Sequence, residues 1–233
     1  MMPIDLPVLA STCAPAVHPV TIAAVVRNES AANPYAIGVV GGRLVRQPRT
    51  RAEAEATAAA LERAGWNYSV GLAQVNRANF ARYGLAGGGA FDPCANLRAG
   101  SEILADCYRR ASLEAGPGQR ALRYALSCYY SGNSRRGFKI EADGTSYVQR
   151  VVAQAQLPQG SVEKLPAAPT ATSVPATADA SAATVPAIAV VPDASPVRRV
   201  KRVSKGEGSA STPAKRSGWD VFGDFGATKE NQE

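Results

Sequence analysis

Histidine is almost absent from this chain. His18 is the only one in 233 residues, and it stands directly before Pro19 at a helix start. Ser–His–Asp chemistry and histidine-based metal sites therefore find no support. The four cysteines, Cys13, Cys94, Cys107 and Cys128, include no Cys-x-x-Cys pair, so neither a metal nor a cofactor is expected. No stretch approaches the roughly 20 apolar residues of a membrane span. Met1 to Ala10 is mildly apolar but lacks a preceding basic residue and contains Pro3 and Pro7, which makes it a poor secretory signal.

The composition divides the chain in two. Up to about Leu157 it reads as a globular sequence, long enough to bury roughly 68–70 % of its unfolded surface. From Pro158 it turns to Ala, Pro, Thr, Ser and Val. We therefore expect a folded domain over 1–157 and a disordered or polyproline-like tail over 158–233. The head holds 17 of the 26 Lys and Arg and 11 of the 19 acidic residues, a balance of +6, and the tail the remaining +1. A basic head suits an anionic partner. The tail adds a basic run, Arg198-Arg199-Val200-Lys201-Arg202, and three aromatics at three-residue spacing, Trp219, Phe222 and Phe225. These aromatics are either incidental or a short docking motif that orders on a partner. The head shows no nucleic-acid-binding motif, and the basic run alone does not make nucleic acid a partner.

Helical signals dominate the head. His18-Pro19 opens a helix that runs through Glu29 and ends before Asn33-Pro34. Thr50 and Glu53 have capping-box spacing ahead of an Ala-rich run to Leu61, stopped by Gly65. Asp92-Pro93 opens a longer helix with Leu97, Ile103, Leu104, Cys107 and Tyr108 at core spacing, broken at Pro117-Gly118. Arg120 to Tyr129 is a further helix, and Ser146 with Gln149 caps a last one. Tyr35 to Val45 reads as irregular or partly extended, and Trp66 to Asn76 as a shaped loop entering a helix. The expected fold is a compact, mainly α domain.

One stretch stands out, Val25-Val26-Arg27-Asn28-Glu29-Ser30. Glu29 follows Ile22, Val25 and Val26 by seven, four and three residues, so it shares their helix face. A carboxyl on an apolar face is either a buried, salt-bridged structural group, with Arg27 or another cation, or an acid that keeps its proton near neutral pH. The second state is what a general acid needs. The cysteines at this level allow three disulfide pairings, or four buried thiols.

Four fragments line up in order: Glu29-Ser30 before Asn33-Pro34; Ser69-Val70-Gly71-Leu72-Ala73-Gln74-Val75-Asn76; Cys128-Tyr129-Tyr130-Ser131-Gly132-Asn133; and Tyr147-Val148. Over roughly residues 13–157 the chain resembles the lytic transglycosylase family, with its goose-lysozyme-like fold. Within it, the likeness is to the small muramidases of type IV secretion systems. Three positions depart from the family pattern. Ala73 stands where methionine is usual, Tyr130 where asparagine is, and Gly38 where a serine is often found. The resemblance implies a Cys13–Cys94 disulfide, which leaves Cys107 with Cys128.

It also implies a lysozyme-like lytic transglycosylase domain acting on peptidoglycan glycan strands in the periplasm. There it would open the wall for a secretion system whose subunits the tail would meet. Glu29 would be the catalytic acid, and Ser30, Gln74, Asn76, Tyr129 and Tyr147 would bind substrate or line the cleft. Trp66 and Tyr68 are further candidates for stacking on sugars. Ordinary glycosidases use two carboxylates, whereas this sequence offers one; Asp92 reads as a helix cap and Glu53, Glu55 and Glu62 as surface residues. A single carboxyl suffices if the substrate's own N-acetyl and C6 hydroxyl groups supply the rest. Two alternatives stay open: a goose-type hydrolase in which water attacks, and a non-catalytic wall-binding scaffold of the secretion machinery.

Overall fold

A computed structural model describes residues 5–86, 88–157 and 185–193. Its helices are α1 (Leu6–Cys13), α2 (Pro19–Ser30), α3 (Arg51–Arg63), α4 (Pro93–Ala115), α5 (Gln119–Ser131) and α6 (Tyr147–Gln156). Helix α2 is the centre of the bundle. Ile22, Ala23, Ala24, Val25 and Val26 are all buried in succession, so its middle is apolar all round, as a helix with neighbours on every side must be. It packs between α1 and α6, while α4 and α5 form an antiparallel pair against them. The mainly α, lysozyme-like expectation holds.

The helix ends follow their local chemistry. Asp92 accepts from the Ala95 amide and Pro93 fills the first turn of α4, and Ser146 and Gln149 complete a reciprocal capping box on α6. At α3 the box is only half made. The Glu53 amide donates to the Thr50 hydroxyl, but the Glu53 carboxylate turns to Arg46 and to the Arg49 amide. These partners hold it down at about 2, the Arg46 hydrogen bond being the main cause.

Two segments differ from the sequence reading. Residues 35–45, expected to be irregular or partly extended, and 66–76, expected to be a shaped loop entering a helix, hold short paired strands. These are β1 (Ile37–Val39), β2 (Gly42–Leu44), β3 (Tyr68–Val70) and β4 (Val75–Asn76), with a 3-10 turn following β4. Each strand is at most three residues long, and β3 is buried on both faces, so no alternation shows in the sequence. The N-terminal stretch, unremarkable as a leader, forms α1 and buries Leu6, Ala10 and Cys13.

The third difference lies in the expected tail. Val190–Pro192 forms β5, which pairs antiparallel with β2 and completes a sheet ordered β4-β3-β1-β2-β5. The Ile188 amide donates to the buried hydroxyl of Thr57 on α3, and the Ile188 side chain joins the core. Two adjacent β-branched residues meeting an open strand edge supply what the Ala/Pro-rich composition hides. The strand runs towards the β1–β2 turn, where the Asp193 amide donates to the Gly41 carbonyl. The basic run at 198–202 and the aromatics at 219–225 lie outside the described residues.

Two disulfides staple the bundle. Cys13–Cys94 ties the end of α1 to the start of α4, and Cys107–Cys128 ties α4 to α5. Their sequence separations are 81 and 21 residues. Loop-closure entropy then predicts that losing them costs about 4.5 and about 3 kcal/mol respectively. Thermal unfolding of the paired serine variants checks the order, with the Cys13/Cys94 variant expected to melt lower.

Candidate active site

A cleft of about 170 Å³ opens between the sheet and helices α2 and α5. It is lined by Glu29, Gly38, Val39, Val40, Ser69, Gln74, Tyr129 and Tyr130. Among the described residues that line it, Glu29 is the sole acid. It sits in the last turn of α2, one turn beyond the fully buried Val25 and Val26. The side chain keeps some exposure to the cleft while protein atoms crowd the carboxyl.

That crowding decides its charge. Burial pushes the Glu29 carboxyl up to about 7, against the opposing pull of the Tyr147 hydrogen bond and the Arg150 charge. The helix dipole works in the same direction as burial, since a carboxylate is disfavoured at a helix C-terminus. The salt-bridged alternative is not what is seen. Among the described residues no Lys or Arg is ion-paired with Glu29, and Arg27 donates instead to the Gln154 carbonyl on α6. The close partner is Tyr147, whose hydroxyl donates to Glu29 Oε1 at 2.5 Å. Its phenol is held well above the ordinary range by burial and then by the nearby Glu29 charge, so it remains a donor.

The turn between β3 and β4 forms the facing wall, and side chains satisfy its backbone. Asn96, buried on α4, accepts from the Ala73 amide and donates to the Val70 and Ala90 carbonyls. The Tyr129 hydroxyl donates to the Ala73 carbonyl at 2.5 Å, and Ser30 donates to the Leu72 carbonyl at 2.8 Å. Gln74 adopts φ +45°, a left-handed conformation that costs energy outside glycine and persists where the surroundings enforce it. Its side-chain amide donates back to the Ala36 and Gly71 carbonyls.

Three departures from the family pattern acquire a physical meaning here. A Cβ at Gly38 would lie 2.8 Å from Gln74 Oε1, so the Gln74 amide occupies the space a side chain at 38 would take. Ala73 packs so tightly on Gly100 of α4 that a Cβ added there would collide with it. Tyr130, in the asparagine's place, lines the cleft and stacks on Tyr147.

Of the six residues singled out from sequence, Glu29, Gln74 and Tyr129 line the cleft and Tyr147 touches Glu29. Ser30 and Asn76 do not line it. Ser30 is spent on the Val26 and Leu72 carbonyls. Asn76 is buried, donating to Asn67 and Ser69 and capping the 3-10 turn Arg77–Asn79. Ser30 supports the wall because backbone polar groups off the ladder need partners, whereas Asn76 links the Asn67 and Ser69 side chains and holds the turn that follows β4. Nor do Trp66 and Tyr68 line the cleft: Trp66 lies against Gly42, and buried Tyr68 donates to Glu62 and meets Phe80 edge-on. Sequence reasoning gives no role to Asn96 and none to Tyr130 beyond its departure from the family pattern. An asparagine among the apolar positions of α4, close after Cys94, is the available signal for Asn96.

Comparison with known proteins accords with this geometry. The profile of the Transglycosylase SLT domain matches residues 7–150. The Type IV secretion system protein virB1 of Brucella abortus biovar 1 (strain 9-941) is 59 % identical over 151 residues, covering 64 % of this chain and 63 % of that protein. Protein virB1 of Agrobacterium fabrum (strain C58 / ATCC 33970) is 36 % identical over 151 residues, 63 % of this chain and 58 % of that one. The match thus spans less than two thirds of the length of these relatives. No solved structure matches significantly. With the profile running from α1 into α6 across the whole cleft, the chain belongs to the Transglycosylase SLT domain family.

Proposed function

We propose that the chain is a peptidoglycan lytic transglycosylase that cleaves the β-1,4 bond between N-acetylmuramic acid and N-acetylglucosamine. The observation that carries the reading is a cleft-lining carboxyl, the one such group among the described residues, that burial holds near pH 7 and the Tyr147 hydroxyl fixes. A group titrating there can both give and take a proton at neutral pH.

In the first step Glu29 protonates the glycosidic oxygen and the C1–O bond breaks, releasing the N-acetylglucosamine side as an alcohol. The oxocarbenium-like centre is stabilised by the substrate's own N-acetyl oxygen, which takes the part of a second carboxylate. In the second step the C6 hydroxyl attacks C1 and Glu29, now a carboxylate, accepts its proton. A 1,6-anhydromuramoyl end results, no water is consumed, and the acid is regenerated. Tyr147 orients the carboxyl, while Gln74 and the Tyr129 wall hold the glycan. Ser30 serves by holding the turn, and Asn76 by fixing Ser69 and the start of the following 3-10 turn.

The name of the Brucella relative places that protein in type IV secretion, and by that likeness we assign the chain to the periplasm, opening the wall locally for such an apparatus. The domain would be 1–157, with β5 returning from the 158–233 tail to its sheet. The tail would meet secretion subunits. The basic balance of the head fits an anionic wall polymer. Among the described residues no helix is long and apolar enough to cross a membrane.

Digestion of purified sacculi by the wild type and Glu29→Gln, with products weighed, tests the chemistry. Anhydromuropeptides from the wild type and none from the variant are expected. Products heavier by one water would make the protein a hydrolase, and turnover by Glu29→Gln would remove Glu29 as the acid.

Stability gives a second test. The folded carboxyl titrates at about 7 against the ordinary 4.5 of an unfolded chain, so the native state binds the proton more tightly. Its contribution is fully present below pH 4.5 and is lost as pH rises through 7, amounting to about 3 kcal/mol. Glu29→Gln should therefore melt above the wild type at about pH 8, and the gap should close at about pH 4. Tyr147→Phe removes a bond that favours the charged form, and should move the Glu29 titration further upward, as seen by carboxyl-carbon NMR.

A further inference from the structure

Tyr130 has no place in the chemistry above, yet it is among the best-anchored side chains of the cleft. Its ring stacks on that of Tyr147, centroids 4.4 Å apart and planes within 15°. Its hydroxyl donates to Glu141 Oε1 at 2.6 Å. The other oxygen of Glu141 pairs with Arg150 on α6 at 2.7 Å, and Arg150 reaches on to Asp143 at 3.2 Å and to the Thr145 hydroxyl. The ring is thus fixed by its face on one residue of α6 and, through Glu141, by its edge on another one turn away. Both of those residues act on Glu29: Tyr147 by its hydrogen bond and Arg150 by its charge.

We propose that Tyr130 is a positioning residue for the acid, its bracketed ring keeping water off the Glu29 carboxyl and the Tyr147 hydroxyl in register with it. This rests on the reading of Glu29 as the acid. Tyr130 and Glu29 line the same small cleft, and Tyr147 beneath them is 2 % exposed. Aromatic bulk at that rim excludes solvent where the family's asparagine, smaller and polar, would admit it. The stack adds cohesion that plain contact lacks, and the charge-assisted link to Glu141 holds the ring's far edge.

Among the described residues, the groups facing Glu29 are few. Tyr147 and Arg150 approach from α6 and Tyr129 from α5, while Arg27 on its own helix is engaged with the Gln154 carbonyl. Burial is the largest influence on Glu29 and raises its titration point; the hydrogen bond and Arg150 are smaller and lower it. Opening the rim therefore lowers the titration point, even though loosening Tyr147 acts the other way.

The experiment is a carboxyl-carbon NMR titration of Glu29 in the full-length wild type, Tyr130→Asn and Tyr130→Phe, beside sacculus turnover from about pH 5 to about pH 9. In Tyr130→Asn the midpoint should fall from about 7 by about one pH unit. The protonated fraction then drops about tenfold at about pH 8 and about twofold at about pH 6, so the ratio of turnover at about pH 8 to that at about pH 6 should be about fivefold lower than in the wild type. Tyr130→Phe keeps the ring and the stack and should hold the midpoint near the wild-type value. A midpoint in Tyr130→Asn that stays put or rises, in a variant whose melting shows it folded, overturns the proposal. So does a midpoint that falls equally in Tyr130→Phe, because the hydroxyl link and not the enclosing ring would then be responsible. Glu29→Gln in the same turnover assay separates the two levels: activity there removes the acid assignment, whatever the titrations show. The titrations need no turnover, so they read the enclosure even if cleavage requires a partner.

Discussion

The structure depends on a carboxyl that is made to sit where a charge is unwelcome. Five successive buried residues bring α2 through the middle of the bundle, and its last turn delivers Glu29 into the cleft. Every neighbouring element then bears on that one group. Helix α6 supplies a hydroxyl and a guanidinium, α5 supplies two tyrosines to the wall, and the sheet closes the opposite side. Isolated ionised carboxyls in a low-dielectric site are costly, and the usual outcome is retention of the proton rather than burial of the charge. The same burial that disfavours the anion prepares the acid.

The second constraint concerns backbone rather than side chains. The turn from Val70 to Val75 has carbonyl and amide groups that no strand ladder reaches, and it is largely buried. Ser30, Asn96, Gln74 and Tyr129 bond them from three different helices and from the turn itself. This accounts for Ser30, which lies off the cleft and acts as a strut, and for Gln74 and Tyr129, which line the cleft while also bracing the turn. It also accounts for Gln74 in a left-handed conformation: the surrounding bonds over-determine the turn, and the strain is tolerated. Gly38 and Gly100 belong to the same arrangement, since a side chain at either would meet the wall.

Much of the helical frame is legible in the sequence. The caps at His18, Thr50, Asp92 and Ser146 follow from residue type and spacing because a helix end is a local event, decided by a side chain and an amide two or three residues away. The small sheet is not legible, because strands of two or three residues carry too few positions to show a period. The β5 strand is hidden still more thoroughly. It sets Val190 against Leu44 and Pro192 against Gly42, across most of the chain, and its flanks have the composition of a spacer.

What the sequence by itself determined is the placing of Glu29 on the apolar face of α2, the run of helices, and the stock of cysteines and tyrosines available to the fold. Helical spacing alone sets the first two, since residues three, four and seven apart must share a face. Only the tertiary structure decided that no described cation pairs with Glu29 and that it titrates near neutrality. It likewise decided that Ser30 and Asn76 turn inward to the wall and that Tyr130 stacks on Tyr147. Those outcomes depend on atoms far apart in the chain: 118 residues separate Glu29 from Tyr147, and 42 separate Ser30 from Leu72. Desolvation is a sum over everything nearby in space, and no local pattern of residues carries that sum.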